Sequence, residues 1–190
     1  MDLLDILKDL IKCIDGDYFL GNGGLLGIIR QRSLLEHDDD LDLYLLPGTT
    51  INKDKLKEFN LDSQVWYSDT KIFSTLNPLN KKNKWIEYCS YIKTHNLHLN
   101  RAEVFSLAKE TYRDKYIEPR FTIPYIDIYY INEDLTVDQW PETYYYENEI
   151  ETTETNCLGF PVKIPRGYKN ILNRNYGFNW KITDKNFKYF

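Results

Sequence analysis

A glycine-rich run followed closely by an acidic run constrains this chain more than any other feature. The first run is GNGGLLGIIR at residues 21–30, and the second is DDDLD at residues 38–42. The three residues before the glycines, 18–20, have the composition of a short strand, whereas the leucines and isoleucines after them repeat at helical spacing. The sequence therefore predicts a sharp turn from a strand into a helix, with glycines in the turn.

A turn of this kind suits a phosphate group. Glycine lets the backbone approach an anion closely, and the first N–H groups of the following helix favour negative charge. Gly23 and Gly24 are the residues expected to hold the phosphates. The turn is a weak indication by itself, because loops also collect glycine for conformational reasons.

The acidic run makes the prediction more specific. If residues 40–45 form a strand, Asp40 and Asp42 point to one face while the intervening leucines enter the core. Two carboxylates on one face suit Mg²⁺ or Mn²⁺, which accept a few protein oxygens together with water and substrate phosphates. We therefore expect a metal site beside the phosphate-holding turn.

The acidic run has two other possible interpretations. A calcium-binding loop starting at Asp38 would need glycine and glutamate where the chain has Leu43 and Thr49, so this interpretation fails. A solvated acidic loop explains Asp38 well. It explains Asp42 poorly, because an unpaired charge inside an alternating apolar segment is costly.

Together these residues resemble the LicD-type and fukutin-related phosphotransferases, members of the nucleotidyltransferase superfamily. That family typically carries G-T-L-L-G-x-x-R, a short basic stretch, an aromatic residue and D-D-D-I-D, and residues 23–42 follow this spacing without a gap. Residues 125–131, YIDIYYI, resemble a later strand that carries a third carboxylate, here Asp127. Residues 162–177 resemble the C-terminal signature P-x-G-Y-x-x-x-L-x-x-x-Y-G, which predicts a helix that ends at Gly177.

The resemblance implies a fold and a set of site residues. The expected fold is an α/β (α+β) nucleotidyltransferase-like domain over residues 1–190, with a mixed central sheet that carries the carboxylates and helices that flank it. Asp40, Asp42 and Asp127 are the expected catalytic and metal-binding residues. The expected donor-binding residues are Gly23, Gly24, Arg30, Lys169 and Arg174. Arg30 would lie near the donor if the helix after the turn directs its C-terminal end toward the acidic strand.

The resemblance also implies a reaction. It is a metal-dependent transfer of a phospho-alcohol or phospho-sugar group, such as phosphocholine, from a CDP-linked donor to a hydroxyl of a glycan. Two alternatives remain open. The chain could be a true nucleotidyltransferase that uses a nucleoside triphosphate, or a catalytically inactive module that binds a nucleotide or a partner.

Composition limits the class of protein. A net charge of −5 argues against nucleic acid as the main partner, since binding phosphate backbones needs clustered basic residues. The first fourteen residues predict an amphipathic helix and not a signal peptide, and no apolar run reaches membrane-spanning length. The three widely spaced cysteines support neither a disulfide framework nor a zinc site. We therefore expect a cytoplasmic protein.

Overall fold

The computed structural model describes residues 1–36, 38, 40–66, 69–76, 95, 107, 124–137 and 140–182, with the backbone alone at 64–66, 69 and 140–142. The described strands are β1 (Ile14–Asp15), β2 (Tyr18–Leu20), β3 (Asp40–Leu45), β4 (Thr50–Ile51), β5 (Leu61–Trp66), β6 (Asp69–Ser74), β7 (Tyr125–Tyr130), β8 (Thr136–Val137), β9 (Trp140–Tyr144), β10 (Thr152–Thr155) and β11 (Val162–Pro165). The described α-helices are α1 (Leu3–Leu10), α2 (Asn22–Gln31), α3 (Lys53–Glu58), α4 (Glu147–Ile150) and α5 (Tyr168–Tyr176), and a short 3-10 helix (Ile11–Cys13) follows α1.

A mixed sheet of five strands, in the order β2-β3-β7-β6-β5, forms the centre of the fold. Strands β3 and β7 run parallel, whereas the other neighbouring pairs are antiparallel. Helix α1 packs against β6 and β7, and α2 packs against β3. The predicted α+β fold with a mixed sheet and flanking helices is confirmed, and the predicted acidic strand is β3.

One face of the sheet supplies much of the hydrophobic core. Along β3, β6 and β7 the side chains alternate between the two faces of the sheet. The apolar residues on this face are fully buried: Leu41, Leu43, Leu45, Ile72, Ile126 and Ile128. The opposite face carries Asp40 and Asp42 on β3, together with Asp127 on β7. The alternation that separates leucine from aspartate in the sequence therefore separates core from candidate site in the fold.

Helix α1 is amphipathic, as the sequence predicts. Its buried residues Leu3, Ile6, Leu7 and Leu10 follow the helical repeat, and Asp2 caps its first turn by accepting the N–H of Asp5 at 2.9 Å. Within the described parts of the chain, no helix has the length and apolar composition needed to cross a membrane.

The C-terminal part of the chain packs against the edge of the sheet that β2 forms. Strands β10 and β11 make an antiparallel hairpin, β11 contacts β2, and α5 contacts α2. Helix α5 ends at Gly177, where φ is +77°, so the predicted glycine stop is confirmed. This arrangement brings the end of α5 next to the glycine turn.

Candidate metal and phosphate site

Three charged residues form a row across neighbouring strands. Asp42 on β3 lies opposite Asp127 on β7, and Asp127 in turn lies opposite Lys71 on β6. Residues opposite each other on neighbouring strands project their side chains to the same face. The row therefore places two carboxylates and one ammonium side by side on the face away from the leucines.

Lys71 and Asp127 form a buried ion pair within this row. The Lys71 ammonium donates a hydrogen bond to Asp127 Oδ1. The two residues are only 3% and 5% exposed. Charges at this depth are tolerated only when they are paired, so each residue depends on the other.

Tyr125 connects this ion pair to Asp40. The Tyr125 hydroxyl donates to Asp40 Oδ2 at 3.1 Å, and the Lys71 ammonium lies 4.3 Å from the centre of the Tyr125 ring. Asp40 and Tyr125 are also opposite each other in the register of β3 and β7. The site therefore has an internal frame that orients Asp40 and Asp127 before any ligand binds.

Asp42 lies in an unfavourable environment for a carboxylate. Burial, followed by repulsion from Asp40 and Asp127, raises the pKa of Asp42 from 3.8 to about 7. A hydrogen bond from the Asn22 side chain opposes this shift in the pKa. Crowded carboxylates with a raised pKa are the arrangement that a cation relieves.

The glycine turn lies directly beside the acidic strand. Gly21 is the N-cap of α2 and donates its N–H to the carbonyl oxygen of Asp42 at 2.9 Å. The next N–H groups belong to the first helical turn, which contains Gly23 and Gly24, and lack partners within the helix by its geometry. The predicted strand-to-helix turn is confirmed, and the positive end of α2 adjoins the carboxylates.

The glycines of α2 also allow close packing, which sequence reasoning did not predict. A Cβ on Gly23 would lie 2.3 Å from Asp38 Oδ2, and one on Gly27 would lie 2.6 Å from the carbonyl oxygen of Ser33. The chain after α2 thus returns along the helix face that Gly23 and Gly27 share. This return brings Asp38 back to the first turn and leads the chain into β3.

Asn22 links the turn to two other elements. Its Nδ2 donates to the Tyr44 hydroxyl on β3 at 3.3 Å, and its Oδ1 accepts from Asn175 Nδ2 on α5 at 3.1 Å. Asn22 adopts a positive φ of 38°, a conformation that asparagine tolerates better than most residues. Asn22 therefore links α5 to the acidic strand.

The three basic residues predicted to bind the donor lie in different surroundings. Arg30 is in the last turn of α2, whereas the first turn of that helix adjoins the acidic strand, so the orientation expected for Arg30 is not the one found. Lys169 is exposed on α5. Arg174 pairs with the buried carboxylate of Glu149 at 3.3 Å and lies 5.3 Å from the centre of the Tyr145 ring.

The donor atoms of the site suit a hard cation. Asp40 and Asp42 offer carboxylate oxygens, and one or two such groups suffice for Mg²⁺ when water and phosphate complete the coordination. In the part of the chain that the structure describes, no three His, Cys, Asp or Glu side chains converge to enclose a metal by themselves. The residues therefore fit a metal that is shared with a phosphate-bearing ligand.

Sequence reasoning missed Lys71, Tyr125 and Asn22. Lys71 had a weaker signal than Asp42, since it directly precedes the apolar pair Ile72-Phe73 but follows two polar residues. Tyr125 and Asn22 had none, because their roles depend on the register of β3 with β7 and on the packing of α5.

The sheet and its helices place the chain among α+β domains. A sequence model of the family described as LicD/FKTN/FKRP, nucleotidyltransferase domain, matches residues 16–131, which include the glycine turn, the acidic strand and Asp127. The chain belongs to this family. A search of curated proteins found no match. Membership of the family supports a transferase of the phosphotransferase type that acts on glycans.

Proposed function

We propose that this protein is a metal-dependent phosphotransferase. It moves a phospho-alcohol or phospho-sugar group, such as phosphocholine, from a CDP-linked donor to a hydroxyl of a glycan. The observation that carries the proposal is the hydrogen bond from Gly21 to Asp42, which fixes the N-terminal turn of α2 beside the Asp40–Asp42 pair. A diphosphate needs both an anion-binding turn and a metal-binding carboxylate pair within reach.

The first turn of α2 and the Asp40–Asp42 pair would bind the diphosphate in different ways. The first N–H groups of α2 would hold phosphate oxygens, and the missing side chains of Gly23 and Gly24 let Asp38 and Leu41 pack against this turn. Mg²⁺ or Mn²⁺ held by Asp40 and Asp42 would supply charge neutralisation. Asp127 would either complete the metal site or accept the proton of the attacking hydroxyl.

In the transfer, the acceptor oxygen bonds to the phosphorus that carries the alcohol. The bond from that phosphorus to the bridging oxygen breaks, and CMP leaves with the bonding electron pair. Catalysis of such a step rests on positioning and charge stabilisation. The frame of Tyr125 and Lys71 would serve positioning by holding Asp40 and Asp127 in fixed orientations.

Lys169 and Arg174 remain predicted donor contacts, whereas Arg30 lies in the last turn of α2, away from the glycine turn. Lys169 is exposed and could meet a charged ligand without breaking the Arg174–Glu149 pair. Arg174 would first have to leave Glu149, which is only 2% exposed and would lose its partner. Lys169 is therefore the better candidate for a ligand contact than Arg174.

Product analysis tests the proposed reaction. The protein is incubated with Mn²⁺, a glycan acceptor and either a CDP-linked alcohol or CTP, and the released nucleotide products are separated. CMP from the CDP-linked alcohol supports phosphotransfer, whereas pyrophosphate from CTP would replace it with nucleotidyl transfer. If neither donor reacts with any acceptor of a panel, and neither donor binds to the protein, a catalytically inactive binding module becomes the better interpretation.

A further inference from the structure

The buried Lys71–Asp127 ion pair is part of the candidate site. Asp127 directly neighbours Asp42 across β3 and β7, and the ring beneath the Lys71 ammonium belongs to Tyr125, whose hydroxyl donates to Asp40. A pair that served only the fold could lie at any buried position on the sheet. This one adds a fixed positive charge beside the two carboxylates that are expected to bind a metal.

Phosphoryl-transfer sites often use two metal ions. In such sites the ions lie about 3.5–4 Å apart and clamp the attacking and leaving oxygens from two sides. A second ion would need carboxylate oxygens next to those that bind the first, and Asp127 is the neighbour of Asp42 that could provide them. The hydrogen bond that Lys71 donates already engages Asp127 Oδ1.

We propose that the Lys71 ammonium takes the place of a second metal ion. The site then holds a single divalent ion on Asp40 and Asp42. Asp127 anchors Lys71 and, of its two proposed roles, keeps that of proton acceptor for the attacking hydroxyl. This inference rests on the proposed function, because it specifies how that site balances its charge. The ammonium belongs to the chain itself, so the site would need only one ion to become competent.

The test counts bound Mn²⁺ with CDP present, by calorimetry and by electron paramagnetic resonance. The wild-type protein is predicted to bind a single ion per chain and to show no signal from two coupled ions. Two coupled Mn²⁺ ions in the wild type would overturn the inference and leave the proposed function standing. If no Mn²⁺ binds with or without CDP, the proposed function itself fails.

Two variants examine Lys71 and Asp127 directly. Lys71→Met removes the ammonium and its hydrogen bond to Asp127 Oδ1, so it is predicted to admit a second Mn²⁺ that the wild type excludes. A folded Lys71→Met protein that still binds a single ion would contradict the inference. The control is the double variant Lys71→Met/Asp127→Asn, which removes both charges and keeps the shape of the pair, a change that buried ion pairs often tolerate.

If Lys71→Met does not fold, the double variant still tests the inference. It is predicted to bind one Mn²⁺ as the wild type does, because neither altered side chain is a ligand of that ion. If it instead loses Mn²⁺ binding to the extent that Asp42→Asn does, Asp127 is a metal ligand and the inference is overturned.

Discussion

Gly21 and Asp42 are joined by a backbone hydrogen bond of 2.9 Å, in which the glycine N–H donates to the aspartate carbonyl oxygen. This bond extends the pairing of β2 with β3 by one residue beyond Leu20 and Leu43. As a result, α2 begins beside a carboxylate, and the distance between the two halves of the site is set by sheet geometry.

Gly27→Ala should destabilise the fold more than Gly23→Ala. A Cβ at position 27 meets backbone atoms of Ser33 and Leu35, at 2.6 and 3.1 Å, which cannot move without displacing the chain. Overpacking of this kind costs roughly 1–3 kcal/mol, against a gain of roughly 1 kcal/mol in helix propensity. Urea denaturation of both variants measures the difference, and equal stabilities would contradict the packing role of Gly27.

Gly23→Ala should affect the site more than the fold. Its Cβ would displace the side chain of Asp38, which can rotate away, but the methyl group also stands at the first turn of α2 where the phosphates are expected. We expect weaker CDP binding with a smaller loss of unfolding free energy than in Gly27→Ala. Calorimetric titration with CDP and Mn²⁺ checks this, and unchanged affinity would exclude Gly23 from the phosphate-holding turn.

The metal-free protein should lose stability as the pH rises from about 4 to about 7. The pKa of Asp42 is about 7 in the folded chain and 3.8 in the reference state, so between these values the folded state binds more protons than the unfolded state. The contribution of this residue to stability then falls by up to about 1.4 kcal/mol per pH unit. Thermal denaturation in EDTA across this range measures it.

Asp42→Asn is the matched control for that pH dependence. The amide has no proton to gain or lose, so the difference in stability between wild type and variant should change across the same range. The variant should be the more stable of the two at pH 7 without metal, because it removes a buried and repelled charge. Parallel curves for the two proteins would show that Asp42 titrates normally.

Asn22→Gly should raise the pKa of Asp42 further. The Asn22 side chain stabilises the charged form of Asp42, and glycine preserves the positive φ of 38° while removing that hydrogen bond. Carboxyl carbon NMR of the metal-free protein follows the titration. Asn175→Ala is the control, since it removes the bond to Asn22 without touching Asp42. An unchanged Asp42 pKa in Asn22→Gly would exclude the predicted role.

Arg174→Ala should destabilise the protein through Glu149. It leaves a carboxylate that is 2% exposed without its ion-pair partner, a loss of roughly 3–5 kcal/mol for fully buried pairs and less here because Arg174 is 38% exposed. Arg174→Ala combined with Glu149→Gln should recover much of that stability. If Arg174→Ala is as stable as wild type but binds CDP weakly, Arg174 is a donor contact and not a structural residue.

Local patterns in the sequence predicted much of the fold. The alternation of Asp40, Asp42 and the leucines predicted β3 and its two faces, and the spacing after Gly24 predicted α2. The glycine at position 177 predicted the end of α5. These features depend on neighbours within a few residues, where backbone geometry and periodicity act directly.

The remaining site residues depend on contacts between distant parts of the chain. Lys71 and Asp127 are separated by 56 positions, and their pairing follows from the register of β6 with β7. A shift of that register by one residue would turn Lys71 to the opposite face of the sheet. The residues around Lys71 do not by themselves specify which residue of β7 lies opposite it. The same holds for Asn22 and Asn175, which meet only because α5 packs against α2.

The most direct test of the account is calorimetric titration of the protein with CDP, with and without Mn²⁺, on the wild type and on Asp42→Asn. A divalent ion shared between carboxylates and phosphates makes nucleotide binding depend on both. The account predicts that CDP binds the wild type only with Mn²⁺ and that Asp42→Asn, although folded, does not bind it. CDP binding of equal strength in the two proteins, or without any metal, would contradict it.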